Sequence, residues 1–217
     1  MIQLYNVTKI YSGRHAALRN INTKIGRGEF TLIAGPSGAG KTTLIKLIMC
    51  EERVSEGEIL VDGINLKRMR ESKIHSLRRK IGVVFQDFKL IPTRTVFQNV
   101  ALRLEIQGAS RSFINKKVRV ILKKVGLEDL SEALPPQLSG GEQQRAAIAR
   151  AMIGDPLILL ADEPTGNLDI DLSKSILDLL QDINREGTTV LMATHNQEIL
   201  RETGHRIIHL EKGVLVS

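Results

Sequence analysis

The chain has 217 residues, of which 42% are hydrophobic and 25% charged, and its net charge is +7. That length fits one domain, or one domain with a built-in lobe, and the composition excludes a disordered or fibrous chain. No apolar run approaches the roughly 20 residues that span a bilayer, the first residues do not read as a secretory leader, and the single Cys50 excludes an intrachain disulfide, so a cytoplasmic protein is expected.

Residues 3–7 read as a short strand. Gly26-Arg27-Gly28 is a turn signal between the apolar residues 21–25 and Phe30–Ala34, so these two segments are expected to pair as a hairpin. Gly35-Pro36-Ser37-Gly38-Ala39-Gly40-Lys41-Thr42 matches the G-x-x-x-x-G-K-[ST] phosphate-binding loop, and Thr43 opens a helical run through residue 49. The glycines let successive N–H groups turn inward toward phosphate oxygens, and the helix N-terminus adds positive potential in the same direction. Lys41 would meet the β- and γ-phosphates of a nucleotide, and the Thr42 hydroxyl would ligate Mg2+.

Residues 57–61 and 81–85 are further strand candidates. Val96–Ile106 and residues 114–125 have apolar positions at helical spacing, and Pro135-Pro136 closes that block. Ser139-Gly140-Gly141 opens a helix running to residue 153, with Ser139 as N-cap and a second set of exposed N–H groups suited to an anion. The apolar strand 157–161 runs into Asp162-Glu163, at the edge where ligands sit in open α/β sheets. There Asp162 would hold Mg2+, and Glu163 would polarise the attacking water. Residues 172–183 read as an amphipathic helix, and 188–193 and 207–210 as strands. The expected plan is an α/β core with a parallel sheet, in segments of about 1–87 and 138–217, interrupted by a helical insert at about 88–137.

Two phosphate-facing helix N-termini in one chain are most simply used on one nucleotide if a second copy donates Ser139-Gly140-Gly141. A homodimer with ATP in each interface is therefore expected. Tyrosine and phenylalanine total seven residues and tryptophan is absent, too few for a run of stacking platforms, so no direct nucleic acid contact is expected. Two basic clusters stand out, one over residues 67–80 and one over 111–124. They read as solvated helix faces, with an anionic lipid surface as the rival.

Leu138-Ser139-Gly140-Gly141-Glu142-Gln143-Gln144-Arg145, together with the phosphate loop and Asp162-Glu163, resembles the ATP-binding cassette (ABC) ATPases across essentially the whole chain. The resemblance implies a P-loop NTPase fold with a RecA-like parallel-sheet core, an N-terminal antiparallel β-subdomain and an inserted α-helical subdomain. It implies that Tyr11 stacks on adenine and that Gln86 contacts Mg2+ and the attacking water. It further implies that Asp169, in Leu168-Asp169, communicates across the dimer, and that His195 contacts the γ-phosphate. His15, His75, His205 and His209 have no such context and default to surface or packing roles. The stretches after Gln86 and around Gly166-Asn167-Leu168-Asp169 look like the cell-division branch of the family, and its relatives in lipoprotein release and macrolide export share the second stretch. That branch implies an integral membrane partner and a peripheral place on the cytoplasmic face of the membrane. The region near Phe88 is expected to dock the partner, unless Phe88 belongs to the core.

Overall fold

The computed structural model describes residues 1–11 and 16–216. Two sheets organise it. The first is antiparallel and built from β1 (Ile2–Ile10), β2 (Ala16–Ile25), β4 (Glu56–Val61) and β5 (Ile64–Asn65), in the order β2-β1-β4-β5. The second contains β3 (Phe30–Ala34), β6 (Ile81–Phe85), β7 (Ile158–Asp162), β8 (Thr189–Thr194), β9 (Arg206–Glu211) and β10 (Val214–Val216), in the order β10-β9-β3-β8-β7-β6. All of its pairings are parallel except the β9–β10 hairpin.

The hairpin expected across Gly26-Arg27-Gly28 does not form. β2 pairs with β1, whereas β3 lies between β8 and β9 in the other sheet. Every residue of β3 is buried, as a central strand covered on both faces requires, while in β2 Leu18, Ile21 and Ile25 are buried and the other residues are half-buried or exposed. The glycine turn carries the chain from one sheet to the other.

Among the described residues, seven α-helices surround the sheets: α1 (Lys41–Ile48), α2 (Glu71–Arg78), α3 (Val96–Ile106), α4 (Arg111–Val125), α5 (Gly140–Met152), α6 (Ile170–Arg185) and α7 (Gln197–Glu202). Alternate residues of the parallel strands feed two cores. Leu32, Val84, Leu159, Ala161, Val190 and Met192 pack with apolar residues of α3 to α6. Ile33, Ile81, Ile158, Leu160, Leu191 and Ala193 face α1 and the antiparallel sheet. Thr95 caps α3 through a reciprocal capping box with Gln98, Ser110 caps α4, and Gly126 ends α4 in a left-handed conformation.

The β9–β10 hairpin touches the phosphate loop. Gly213 N–H donates to the Ala39 carbonyl at 3.1 Å, and Arg19 N–H donates to the Gly213 carbonyl at 2.7 Å. Among the described residues, no helix is long and apolar enough to cross a membrane.

Candidate nucleotide site

β3, β6, β7 and β8 all end at one edge of the parallel sheet, and the loops leaving it carry the candidate residues. Gly40 precedes α1 with φ 110, a left-handed value costly for any residue with a β-carbon. A β-carbon there would also meet the Ala17 carbonyl oxygen at 2.6 Å. The loop turns tightly, with Ala39 N–H donating to the Pro36 carbonyl at 3.1 Å.

Lys41 is buried, and its Nζ donates to the carbonyls of Gly35 (2.7 Å) and Pro36 (3.1 Å). It also lies 3.0 Å from Glu163 Oε1. The other carboxylate oxygen of Glu163 meets His195 Nδ1. Glu163 itself has φ 51, a strained value for glutamate, held by its N–H on the Ala193 carbonyl and by Gly166 N–H on its own carbonyl, both at 3.0 Å. Asp162, the last residue of β7, is buried and pairs in register with Phe85 and Ala193. Burial raises its pKa, opposed by a hydrogen bond from Thr42 and reinforced by the charge of Glu163. Asp162 Oδ1 has no hydrogen-bond partner. A buried carboxylate oxygen left unmatched beside a threonine hydroxyl is a hard oxygen donor set that suits Mg2+. Among the described residues, no group of three or more His, Cys, Asp or Glu side chains forms a metal cluster of another kind.

A cavity of about 360 Å³ opens beside Lys41, Thr42 and Glu163 and is lined by Tyr11, Ala17, Ser37, Gly38, Gly40, Lys41, Thr42, Thr43, Gln86 and Glu163, but not by Asp162 or His195. Tyr11 is held at its rim, its hydroxyl donating to Glu52 Oε1 at 2.6 Å and Lys9 Nζ lying 4.9 Å from the ring centre. Burial and the neighbouring Glu52 carboxylate raise its pKa. Gln86 reaches toward Asn167, whose side-chain amide donates to the Gln86 carbonyl at 3.2 Å.

Ser139, Gly140, Gly141 and Asp169 are not among the residues lining this cavity. Ser139 caps α5, and Glu142 Oε2 accepts from both its N–H and its hydroxyl at 2.7 Å. Those bonds hold the Glu142 carboxyl below the usual carboxylate range. Gly141 packs against Leu172 of α6, whose Cδ2 a β-carbon would meet at 2.9 Å. Asp169 caps α6, accepting from Leu172 N–H at 2.8 Å. His205 stacks on Phe30 with ring centres 4.4 Å apart, while His15 lies outside the described residues.

The stretch after Gln86 depends on residues that sequence reasoning missed. Phe88 and Lys89 both have left-handed φ values, 57 and 51. Arg150 of α5 donates to both their carbonyls. Asn99, fully buried in α3, donates to the carbonyls of Ile91, Arg94 and Thr95 and accepts from Ile91 N–H. Phe88 is half-buried and belongs to neither core. A second cleft of about 550 Å³ lies between α2, β6 and α3, with Arg78, Arg79, Lys89, Arg103 and Arg150 on its walls and no carboxylate among its lining residues.

The chain matches the ABC transporter family over residues 18–166. It is 49% identical over 216 residues to the cell division ATP-binding protein FtsE of Bacillus subtilis, covering 100% of this chain and 95% of that one. It is 47% identical over 215 residues to FtsE of Escherichia coli K12, covering 99% and 97%. In three dimensions it is similar to the ATP-binding cassette MJ0796, solved as a dimer in a post-hydrolysis state bound to ADP and Pi, with TM-score 0.90, 41% identity and coverage of 100% and 97%. A phosphate loop, a strand ending in two carboxylates and full-length likeness agree: this chain belongs to the ABC transporter family, as an FtsE-like ATPase.

Proposed function

We propose that the chain is the ATP-hydrolysing subunit of a bacterial cell-division complex, peripheral to the cytoplasmic face of the membrane and bound to an integral membrane protein of the FtsX type. Through that partner it signals to peptidoglycan hydrolases. The observation that carries the catalytic reading is the Glu163 carboxylate, which joins Lys41 to His195 beside the unmatched Asp162 Oδ1.

In this reading, Tyr11 stacks on adenine, and the loop Gly35-Pro36-Ser37-Gly38-Ala39-Gly40, with Thr43, surrounds the phosphates. Lys41 holds the β- and γ-phosphates. Thr42, Gln86 and Asp162 hold Mg2+, which when bound neutralises phosphate charge. Glu163 leaves Lys41 as the γ-phosphate takes its place, and then orients the attacking water and draws its proton. His195 steadies Glu163 and faces the γ-phosphate. Ser139, Gly140 and Gly141 of a second copy complete the site, and Asp169 lies at the contact between the copies. The basic cleft beside Phe88 and Lys89 receives the membrane partner, so its occupancy bears directly on the Gln86 segment.

Phosphate release by the purified chain in Mg-ATP, alone and co-purified with its membrane partner, tests this. Turnover abolished in Glu163→Gln supports it. Binding of ATP without any release of phosphate, with or without the partner, overturns it.

A further inference from the structure

Large apolar side chains left open to solvent are scattered over most of this molecule, but three of the most open sit on one helical hairpin. Ile106, at the end of α3, is 77% exposed, while Phe113 and Val120 of α4 are 50% and 62% exposed. A four-residue turn joins the two helices, so Ile106, which also lines the outer wall of the basic cleft, and Phe113 share the hairpin tip.

The cations of α4 fall on the same side. The buried stripe Ile114, Val118, Leu122, Val125 packs inward. Opposite it, Phe113, Lys116, Val120 and Lys123 follow one another at spacings of three, four and three, which aligns them on one outward stripe flanked by Arg119. No aspartate or glutamate occurs between Glu105 and Glu128. Lys117 and Lys124 are paired, with Asp155 and Glu186. Among the described residues, Lys116, Arg119 and Lys123 are exposed and have no ion pair, although Glu128 and Glu132 border the hollow beside Arg119 and Lys123.

We propose that the outward face of α4, with the hairpin tip, rests on an anionic lipid bilayer surface. Cations without partners attract anionic headgroups, and apolar side chains interleaved with them gain by entering the boundary between headgroups and acyl chains. A nucleic acid would use the cations but leave Ile106, Phe113 and Val120 in water. The proposal rests on the reading that the chain works beside a membrane protein, and it adds a contact made by this chain itself, without the partner.

The test is co-sedimentation of the full-length purified chain with vesicles. Vesicles rich in phosphatidylglycerol should bind it, and phosphatidylcholine vesicles should not, with binding lost as salt rises. K116Q/R119Q/K123Q should lower binding about a hundredfold, three charges each worth roughly a factor of five near the surface. F113S/V120S should lower it about tenfold. Neither variant should alter basal ATP turnover, which keeps a folding defect separate. Equal binding to both vesicle types, binding unaffected by either variant, or duplex DNA displacing the chain from anionic vesicles at stoichiometric amounts each overturns the proposal. Capture of the membrane partner is scored separately, so that failure of the lipid contact and failure of the partner reading are told apart.

Discussion

The Lys41 ammonium is shared between Glu163 Oε1 at 3.0 Å and the carbonyls of Gly35 and Pro36 at 2.7 and 3.1 Å. An entering polyphosphate therefore competes with a carboxylate for the same buried cation. Glu163→Gln removes that competitor while keeping the side chain's size. Removing one negative charge from a largely buried pair is worth about 1 kcal/mol or more, so the ATP Kd should fall about five- to tenfold. Turnover should drop about 10²- to 10⁴-fold with loss of the base. Titration with Mg-ATP checks the first effect, and an unchanged Kd would show that the pair does not oppose binding.

The same variant should reveal assembly. With hydrolysis blocked, Mg-ATP should hold two copies of Glu163→Gln together, because ligand that binds only the closed pair draws the equilibrium toward it. Wild type in Mg-ADP should sediment as a monomer. A Glu163→Gln chain that stays monomeric at saturating ATP would rule out self-assembly of the isolated subunit.

Lys41→Ala deletes the ammonium and leaves Glu163 facing the phosphates unopposed. Two charge-assisted contacts of about 1.5–3 kcal/mol each are lost, so the ATP Kd should rise at least about a hundredfold. Nucleotide titration at fixed salt decides this. Affinity within twofold of wild type would remove Lys41 from the phosphate site.

Arg150 holds two consecutive residues, Phe88 and Lys89, in a conformation that costs each of them about 1–2 kcal/mol. Arg150→Met keeps the length of the side chain and removes the donors. Stability should fall by about 1–3 kcal/mol, a few degrees in Tm for a chain of this size. ATP affinity should persist while turnover falls, because the loosened segment begins directly after Gln86. A Tm loss with turnover intact would reduce Arg150 to a purely structural clamp.

Asp62 lies between Lys80 (2.8 Å) and Arg27 (3.0 Å), and the Lys80 hydrogen bond, with the charges of both, lowers its pKa. A depressed carboxylate pKa stabilises the fold above the ordinary aspartate value, and that contribution disappears as pH falls through the folded value. Asp62 has φ 49, which asparagine also tolerates, so Asp62→Asn isolates the charge. The variant should be about 0.5–1 kcal/mol less stable at pH 7, since both partners are solvent-accessible, with the gap closing as the medium is acidified below pH 4. A Tm difference that does not vary with pH would show that geometry, not charge, is responsible.

Motifs read along the chain found the phosphate loop, the Asp162-Glu163 strand end and the capped helix at Ser139, because each is a local pattern whose chemistry follows from neighbours in sequence. Periodicity found the long helices and the apolar strands. It misassigned the partner of Phe30–Ala34, because a glycine turn looks the same whether it closes a hairpin or carries the chain between sheets. The nearly continuous apolar run of Phe30, Leu32, Ile33 and Ala34, typical of a strand buried on both faces, was the available signal. Ala17, Asn99 and Arg150 escaped notice, since an alanine at a cavity wall, a buried amide and an arginine on loop carbonyls acquire meaning only from chain segments brought together by folding. The short β5, β10 and α7 are too brief for any period to show.

The bond from Gly213 N–H to the Ala39 carbonyl joins the phosphate loop to residues made more than 170 positions later in synthesis. While the ribosome is still translating, residues 35–42 emerge early, but the β9–β10 hairpin that backs them is absent until residues 206–216 have been made. A nascent or C-terminally truncated chain ending near residue 205 should therefore carry every phosphate-loop side chain and still bind nucleotide poorly. Competence for ATP would be acquired late, and a cell would be spared incomplete cassettes that bind ATP before they can close on it.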